Sequence, residues 1–174
     1  MQNRGVRAIL IPMMAALIWS APSFAVDQGE VAPAWQATDL SGEFVSFPEL
    51  TDGRPAVFIF WATWCPYCKA FMPYLKRIHE DYGSERTVIV AINAKDKDGD
   101  KQAYVDALGF PVVAIPEGDE IAAEYGVRFI PGLMVVDGNG TVSYRRRSTD
   151  LKPGKTIAEL WSEQVREALD QALE

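Results

Sequence analysis

Cysteine and histidine are scarce in this chain. Its 174 residues include two cysteines and one histidine. A closed zinc site built from these residue types needs four ligands, so a site of that kind is excluded. The same count permits no more than one disulfide bond within the chain. What remains is a single C-x-x-C pair, formed by Cys65 and Cys68.

Basic residues and long apolar runs are also few. The chain has 17 basic and 24 acidic residues, a formal net charge of −7. This excess of negative charge argues against nucleic acid and anionic lipid as partners. The apolar run near the start, residues 8–19, has twelve residues, which is short of the ~20 that a membrane-spanning helix needs. Internal repeats and low-complexity tracts are absent from the sequence.

Residues 1–25 are typical of an export signal. Arg4 and Arg7 precede the apolar run, and Ser23 and Ala25 place small residues at the two positions that a signal peptidase reads. We expect cleavage after Ala25, with an uncleaved membrane anchor as the alternative. Residues 26–174 would then carry 15 basic and 24 acidic residues, a net charge of −9. They are numerous enough to form one domain with a substantial core.

The cysteine pair lies between an apolar run, residues 56–60, and a helical pattern that extends to about Tyr82. If Cys65 opens that helix, its sulfur lies near unpaired N–H groups and the positive end of the helix dipole. This environment favours thiolate, the reactive form of cysteine. Pro66 suits the first helical position, where a missing N–H has no cost. We therefore predict that Cys65 attacks and that Cys68, more shielded by the turn, resolves the mixed disulfide.

Two other roles for the pair are less favoured. A structural disulfide over so short a loop would remove little chain entropy and would stabilise the fold weakly. Half of a metal site would need partners, and the single histidine, His79, lies eleven positions after Cys68. A C-x-x-C pair between an apolar strand and a helix favours redox chemistry.

The remaining sequence predicts an α/β fold. Strands joined through helices run parallel with right-handed crossovers, and a glycine-rich turn at residues 137–140 adds an antiparallel strand. The order predicts one mixed central sheet with helices on both faces, preceded by a β-hairpin. The predicted elements are a hairpin over residues 34–47, strands at 56–60, 87–92, 111–115, 133–136 and 141–147, and helices at 65–82, 101–108, 120–125 (capped by Asp119) and 156–173. Residues 95–100 are expected to form a solvated loop.

Several stretches resemble the exported TlpA/ResA-like thiol-disulfide oxidoreductases, which have the thioredoxin fold. The active-site stretch of that family is similar to Phe60-Trp61-Ala62-Thr63-Trp64-Cys65-x-x-Cys68. Pro73 stands where thioredoxins have a helix kink, and residues 125–131 are similar to the segment that ends in the family's cis-proline. The hairpin before the first buried strand is similar to the family's amino-terminal extension. The resemblance covers about residues 32–173.

The resemblance implies a thioredoxin-like domain over residues 26–174, with Cys65 and Cys68 as catalytic residues. It implies a cis Ile130–Pro131 bond and pairing of the Ile130 backbone with an extended substrate segment. The implied substrate-contacting residues are Trp64, Pro66, Tyr67, Ile130 and Pro131, with no metal and no cofactor.

The implied function is thiol-disulfide exchange on protein substrates in the bacterial cell envelope. Disulfide reduction is the favoured direction, although the sequence does not determine it, and a membrane or periplasmic redox partner is implied. We expect a periplasmic monomer; attachment to the inner membrane, facing the periplasm, is the alternative.

The sequence departs from relatives of this type at two positions. Ile59 stands where thioredoxins usually carry Asp, and Phe71 stands where cytochrome-maturation reductases of this group usually carry Glu. Both acids help to manage the proton of the resolving thiol, so their absence argues against a role in cytochrome c maturation. A copper carrier with the same fold and a thiol peroxidase remain as alternatives. Residues 145–147, three arginines, are interpreted as a charged edge strand, with substrate binding as the alternative.

Overall fold

The computed structural model describes residues 25–147 and 150–174. The predicted export signal, apart from Ala25, lies outside the described residues. Within the described part, none of the helices combines the length and the apolar character that crossing a bilayer requires.

Seven strands and four α-helices are described. A single 3₁₀ turn, Glu49–Thr51, follows the second strand. In chain order the elements are β1 (Trp35–Thr38), β2 (Phe44–Phe47), β3 (Ala56–Trp61), α1 (Pro66–Tyr82), β4 (Val88–Asn93), α2 (Lys101–Asp106), β5 (Val113–Ile115), α3 (Asp119–Glu124), β6 (Gly132–Val136), β7 (Val142–Arg145) and α4 (Ile157–Ala172).

The strands form two sheets. β1 and β2 make an antiparallel pair, and the other five strands have the order β5-β4-β3-β6-β7. β3 and β5 each run parallel to β4, whereas β6 runs antiparallel to both β3 and β7. The predicted α/β class, mixed sheet and amino-terminal hairpin are confirmed.

β3 is buried on both faces, as its unbroken apolar sequence predicts. Ala56, Phe58 and Phe60 face a layer that contains the hairpin and α3. Val57, Ile59 and Trp61 face the other layer, which contains α1 and α4. Each β3 residue is at most 1% exposed. Helices therefore cover both faces of the central sheet.

Aromatic rings attach the hairpin to the sheet. The Phe47 ring stacks on Trp35 at 6.1 Å and meets Phe58 of β3 edge-on at 5.2 Å. Tyr125, which follows α3, packs against Phe58 at 5.9 Å, and its hydroxyl donates to the Pro33 carbonyl oxygen at 2.7 Å. The hairpin is thus part of the main core.

We predict that Phe47→Ala lowers the free energy of unfolding by about 3–5 kcal/mol, because it removes a buried ring and leaves a cavity. Phe47 is 3% exposed, whereas Phe44 on the same strand is 70% exposed. The matched variant Phe44→Ala should change that free energy by less than about 0.5 kcal/mol. Urea unfolding measures both. Equal effects would contradict the inclusion of the hairpin in the core.

Candidate active site

Cys65 lies where β3 passes into α1. It is the N-cap of α1, with extended backbone angles of φ −82° and ψ 108°, and Pro66 is the first helical residue. The Cys65 Sγ accepts the Cys68 N–H at 3.1 Å. The predicted placement of Cys65 at the helix start is confirmed. The sulfur therefore receives one of the N–H groups that have no partner within the helix.

The two cysteines form a disulfide, with their Cα atoms 5.3 Å apart. Cys65 is 2% exposed and Cys68 is fully buried. The two cysteines therefore differ little in burial when they form the disulfide. They differ more clearly in position, because Cys65 is the N-cap of α1. Trp64 and Tyr67, which flank and separate the pair, are 58% and 57% exposed. A partner that approaches the disulfide would meet these two rings.

The layer beneath the disulfide is apolar. Ile59 and Phe71, the two apolar residues noted in the sequence as departures from the resemblance, are both fully buried. The Trp61 ring stacks on Tyr104 at 4.4 Å. Burial raises the pKa of Tyr104 to about 12, so its phenol stays neutral in the physiological pH range. The electrostatics of the pair therefore depend chiefly on the start of α1.

The Ile130–Pro131 bond is cis, as predicted. This loop leads into β6, whose first residue, Gly132, pairs with Phe60 of β3. A Cβ on Gly132 would lie 2.9 Å from Val127 and 3.2 Å from Phe60, so glycine permits this close packing. The register brings the loop to the end of β3 from which the cysteine motif continues. Pro131 is buried and Ile130 is half-buried.

Asp96 joins the loop after β4 to the cysteine motif. Its Oδ2 accepts the Thr63 N–H at 2.6 Å and the Asn93 side-chain amide at 3.1 Å, and its Oδ1 accepts the Gly99 N–H at 3.2 Å. Burial raises the pKa of Asp96, but the hydrogen bonds outweigh it and hold that pKa below its ordinary value. The carboxylate thus fixes the backbone two residues before Cys65.

The expectation of a solvated loop over residues 95–100 is wrong at Asp96, which is 6% exposed. Its charge-rich neighbours in the sequence favour a surface position for Asp96. The signal available was its position just after a buried strand, because the carboxyl ends of parallel strands meet at one edge of a sheet.

Lys95 connects three parts of the site. Its carbonyl oxygen accepts the Trp64 indole N–H at 2.9 Å, and its Nζ donates to the Arg128 carbonyl oxygen at 2.5 Å. Its backbone N–H donates to Asp119 Oδ1 at 2.8 Å. The prediction that Asp119 caps α3 is wrong, because Gly118 is the N-cap and has no side-chain capping bond. The Asp119 carboxylate binds the Lys95 loop instead.

The geometry gives little support to a copper carrier or a thiol peroxidase. Among residues 25–147 and 150–174, no three Cys, His, Asp or Glu side chains are grouped to hold a metal. His79 lies eleven residues along α1 from Cys68, about 16 Å away, and its ring is 5.7 Å from Phe110.

A thiol peroxidase would pair its reactive cysteine with an arginine, for which the candidates are Arg54 and Arg128. Arg54 precedes β3 at the end opposite the cysteines and binds the carbonyl oxygens of Thr51, Ser84 and Leu50. No hydrogen bond among the described residues links Arg128 to Cys65.

We predict that Asp96→Asn lowers the free energy of unfolding at neutral pH by about 1–3 kcal/mol, because an amide N–H₂ would face other N–H donors. The pKa of Asp96 is lowered in the folded protein. Its ionised form therefore stabilises the fold above the carboxyl's ordinary pKa. This contribution should disappear as the pH falls through the lowered value. Urea unfolding across an acid pH series measures the difference from wild type.

The control is Asp98→Asn in the same loop, where the carboxylate is exposed. This variant should stay within about 0.5 kcal/mol of wild type. A gap between wild type and Asp96→Asn that stays constant as the pH falls would contradict the role given to the Asp96 carboxylate.

Comparison with known proteins agrees with the predicted resemblance. Residues 28–145 match the AhpC/TSA family. The thiol-disulfide oxidoreductase ResA of Halalkalibacterium halodurans is 32% identical over 116 residues, which are 66% of this chain and 65% of that protein. The thiol:disulfide interchange protein DsbE of Escherichia coli K12 is 29% identical over 185 residues, covering 93% of this chain and 97% of DsbE.

Solved structures share the fold. An uncharacterized conserved protein from Geobacillus kaustophilus superimposes with a TM-score of 0.72 at 26% identity, covering 84% of this chain and 82% of that one. A thioredoxin-family thiol:disulfide interchange protein from Chlorobium tepidum has a TM-score of 0.67 at 19% identity, covering 86% and 100%. The chain therefore belongs to the AhpC/TSA family and has the thioredoxin fold, with ResA and DsbE proteins among its relatives.

Proposed function

We propose that this protein is a thiol-disulfide oxidoreductase that exchanges disulfides with protein substrates in the bacterial cell envelope. The observation that carries the proposal is the Cys65–Cys68 disulfide at the start of α1, beside the Ile130–Pro131 loop. Its relatives ResA and DsbE are named for this activity. The proposal assigns Cys65 as the nucleophile and Cys68 as the resolving residue.

In the reducing direction, the Cys65 thiolate attacks one sulfur of a substrate disulfide. A bond forms between Cys65 Sγ and that sulfur, and the other substrate sulfur leaves as a thiolate. The Cys68 thiolate then attacks Cys65 Sγ and displaces the first substrate sulfur. Two electrons have passed to the substrate, and the enzyme holds the Cys65–Cys68 disulfide. A membrane or periplasmic dithiol partner would return the enzyme to its reduced form.

Substrate binding is proposed at the surface around the disulfide. Trp64, Pro66 and Tyr67 are exposed on one side of it. On the other side, the backbone N–H and C=O of Ile130 make no hydrogen bond to any described residue. An extended substrate segment could pair with these groups as an added strand. This arrangement would hold a substrate cysteine next to Cys65, with Pro131 shaping the floor.

The proposed setting is the periplasm, after cleavage of residues 1–25 and folding of residues 26–174 as one domain. An uncleaved anchor in the inner membrane is the alternative for the same domain. The protein is proposed to work as a monomer. The copper carrier and the peroxidase are less favoured, since His79 and Arg54 are engaged away from the cysteines and no hydrogen bond among the described residues links Arg128 to Cys65.

We predict that limiting iodoacetamide modifies Cys65 before Cys68 in the reduced protein, because the helix start favours the Cys65 thiolate. Peptide mapping by mass spectrometry identifies the modified residue. Preferential labelling of Cys68 would reverse the assigned roles.

We also predict that Cys68→Ser accumulates mixed disulfides with substrate proteins, because the resolving thiolate is missing. Non-reducing gels of the purified variant, incubated with an oxidised protein such as insulin, detect these adducts. The matched control is Cys65→Ser, which should accumulate none. Adducts in Cys65→Ser but not in Cys68→Ser would contradict the mechanism.

A further inference from the structure

A pocket of about 250 Å³ lies between the segment before β6 and the end of β7. The charged residues that line it are Arg128, Arg145 and Arg146, and no carboxylate of the described residues lines it. The whole chain, in contrast, has a net charge of −7. The pocket therefore concentrates positive charge on an acidic protein.

The three arginines differ in how far they are already bound. Arg145 forms a fixed wall, with Nη1 and Nη2 donating to the carbonyl oxygens of Tyr125 and Gly126 at 2.8 and 3.0 Å. Arg146 lies over the Trp161 ring at 5.0 Å, and its buried Nε has no partner among the described residues. The exposed Arg128 guanidinium has no hydrogen bond to any described residue. Two of the three thus have donors to spare.

Asp27 stabilises the Arg145 cation through its charge, but its carboxylate makes an ion pair with Arg147 instead. Asp27 binds Arg147 at 2.9 Å, and Arg147 does not line the pocket. Burial lowers the pKa of Arg145 and Arg146, yet an arginine side chain stays protonated in proteins. Arg146 has no carboxylate partner among the described residues, and a partly buried cation without a counter-ion is costly. An anionic group that entered the pocket would offset this cost.

The pocket adjoins the exchange site. Trp161, beneath Arg146, also meets Tyr67 edge-on at 6.4 Å, and Tyr67 lies between the two cysteines. Phe129, 78% exposed, lines the pocket and directly precedes Ile130. A polypeptide paired with Ile130 would thus pass within reach of the arginines.

We propose that this pocket binds a carboxylate side chain of the substrate polypeptide, close to its reacting cysteine, and makes the enzyme selective for acidic segments. The planar guanidinium of arginine pairs with a carboxylate through two parallel hydrogen bonds, which fix the orientation of the carboxylate as well as attracting it. Arg128 supplies the donors, Arg146 adds positive charge at the edge of the pocket, and Arg145 holds the wall. The inference rests on the exchange activity proposed above and names its substrate class.

The test uses peptides that carry one cysteine in a mixed disulfide with a small thiol. Glu, Gln or Lys is placed at successive positions on either side of that cysteine. The second-order rate constant for reduction by the reduced protein is measured for each peptide. At one position we expect the rate constant of the Glu peptide to exceed that of the Gln peptide by about three- to tenfold, the range for one partly exposed charge pair. The Lys peptide should react more slowly than the Gln peptide. In the Arg128→Gln variant, the rate constants of the Glu and Gln peptides should differ by no more than about twofold.

The matched control is Arg147→Gln, which also removes one positive charge. Arg147 directly follows Arg145 and Arg146 in the chain but does not line the pocket. It should keep the preference for Glu. Equal loss in Arg147→Gln and Arg128→Gln would overturn the proposal in favour of a general field effect. Arg146→Gln is a second test of the pocket, with thermal unfolding as the check that it folds. If it does not fold, Arg128→Gln, at an exposed site, decides the question.

Two further outcomes would overturn the inference. Equal rates for Glu, Gln and Lys peptides would refute acid selection while leaving the exchange activity intact. Binding to phosphatidylglycerol vesicles that is lost in Arg128→Gln, with no preference among peptides, would assign the pocket to anionic lipid instead. Failure to reduce any of the peptides would overturn the exchange activity and, with it, this inference.

Discussion

The burial of β3 on both faces is the constraint on which the rest of the structure depends. β3 lies at the centre of the sheet, paired with β4 on one edge and β6 on the other. Its register sets Trp61 opposite Asn93 and Phe60 opposite Gly132. Since a slip by one residue would turn every side chain to the wrong layer, the register is strongly specified. The cysteine motif, the loop after β4 and the Pro131 loop therefore meet at one end of the sheet.

Local sequence signals predicted the fold and the position of Cys65 at the start of a helix. An unbroken apolar run predicted a two-faced strand, and proline after cysteine predicted the start of α1 at Cys65–Pro66. The hairpin followed from the sequence pattern, and the cis bond at Pro131 followed from resemblance. The Asp96 contact could not be predicted in this way, because its burial depends on Thr63, which is 33 positions away in the chain. The cap predicted at Asp119 is wrong for a similar reason, since its carboxylate accepts the backbone N–H of Lys95, which is 24 positions away.

The site combines an apolar floor with polar walls. Ile59 and Phe71 are both fully buried and place no carboxylate beneath the cysteine pair. The polar contacts lie around this apolar layer instead. The Cys68 N–H donates to Cys65 Sγ, and the Asp96 carboxylate accepts the Thr63 N–H. Asp96 and Lys95 use hydrogen bonds to backbone groups rather than strand pairing, so the approach to Cys65 is positioned by a few separate contacts. Single substitutions in that loop can alter the geometry without changing the sheet.

The bond from the Tyr125 hydroxyl to Pro33 has a consequence for binding entropy. Tyr125 packs on β3, ties the amino-terminal hairpin to the core and offers its own carbonyl oxygen to Arg145. One residue thus links a segment some thirty positions before the cysteines to the wall of the arginine pocket. A wall already held in place loses little conformational freedom when a ligand arrives, which preserves more of the interaction energy as affinity. The hairpin would thereby contribute to the proposed recognition from a distance, by keeping a remote surface rigid before any partner is present.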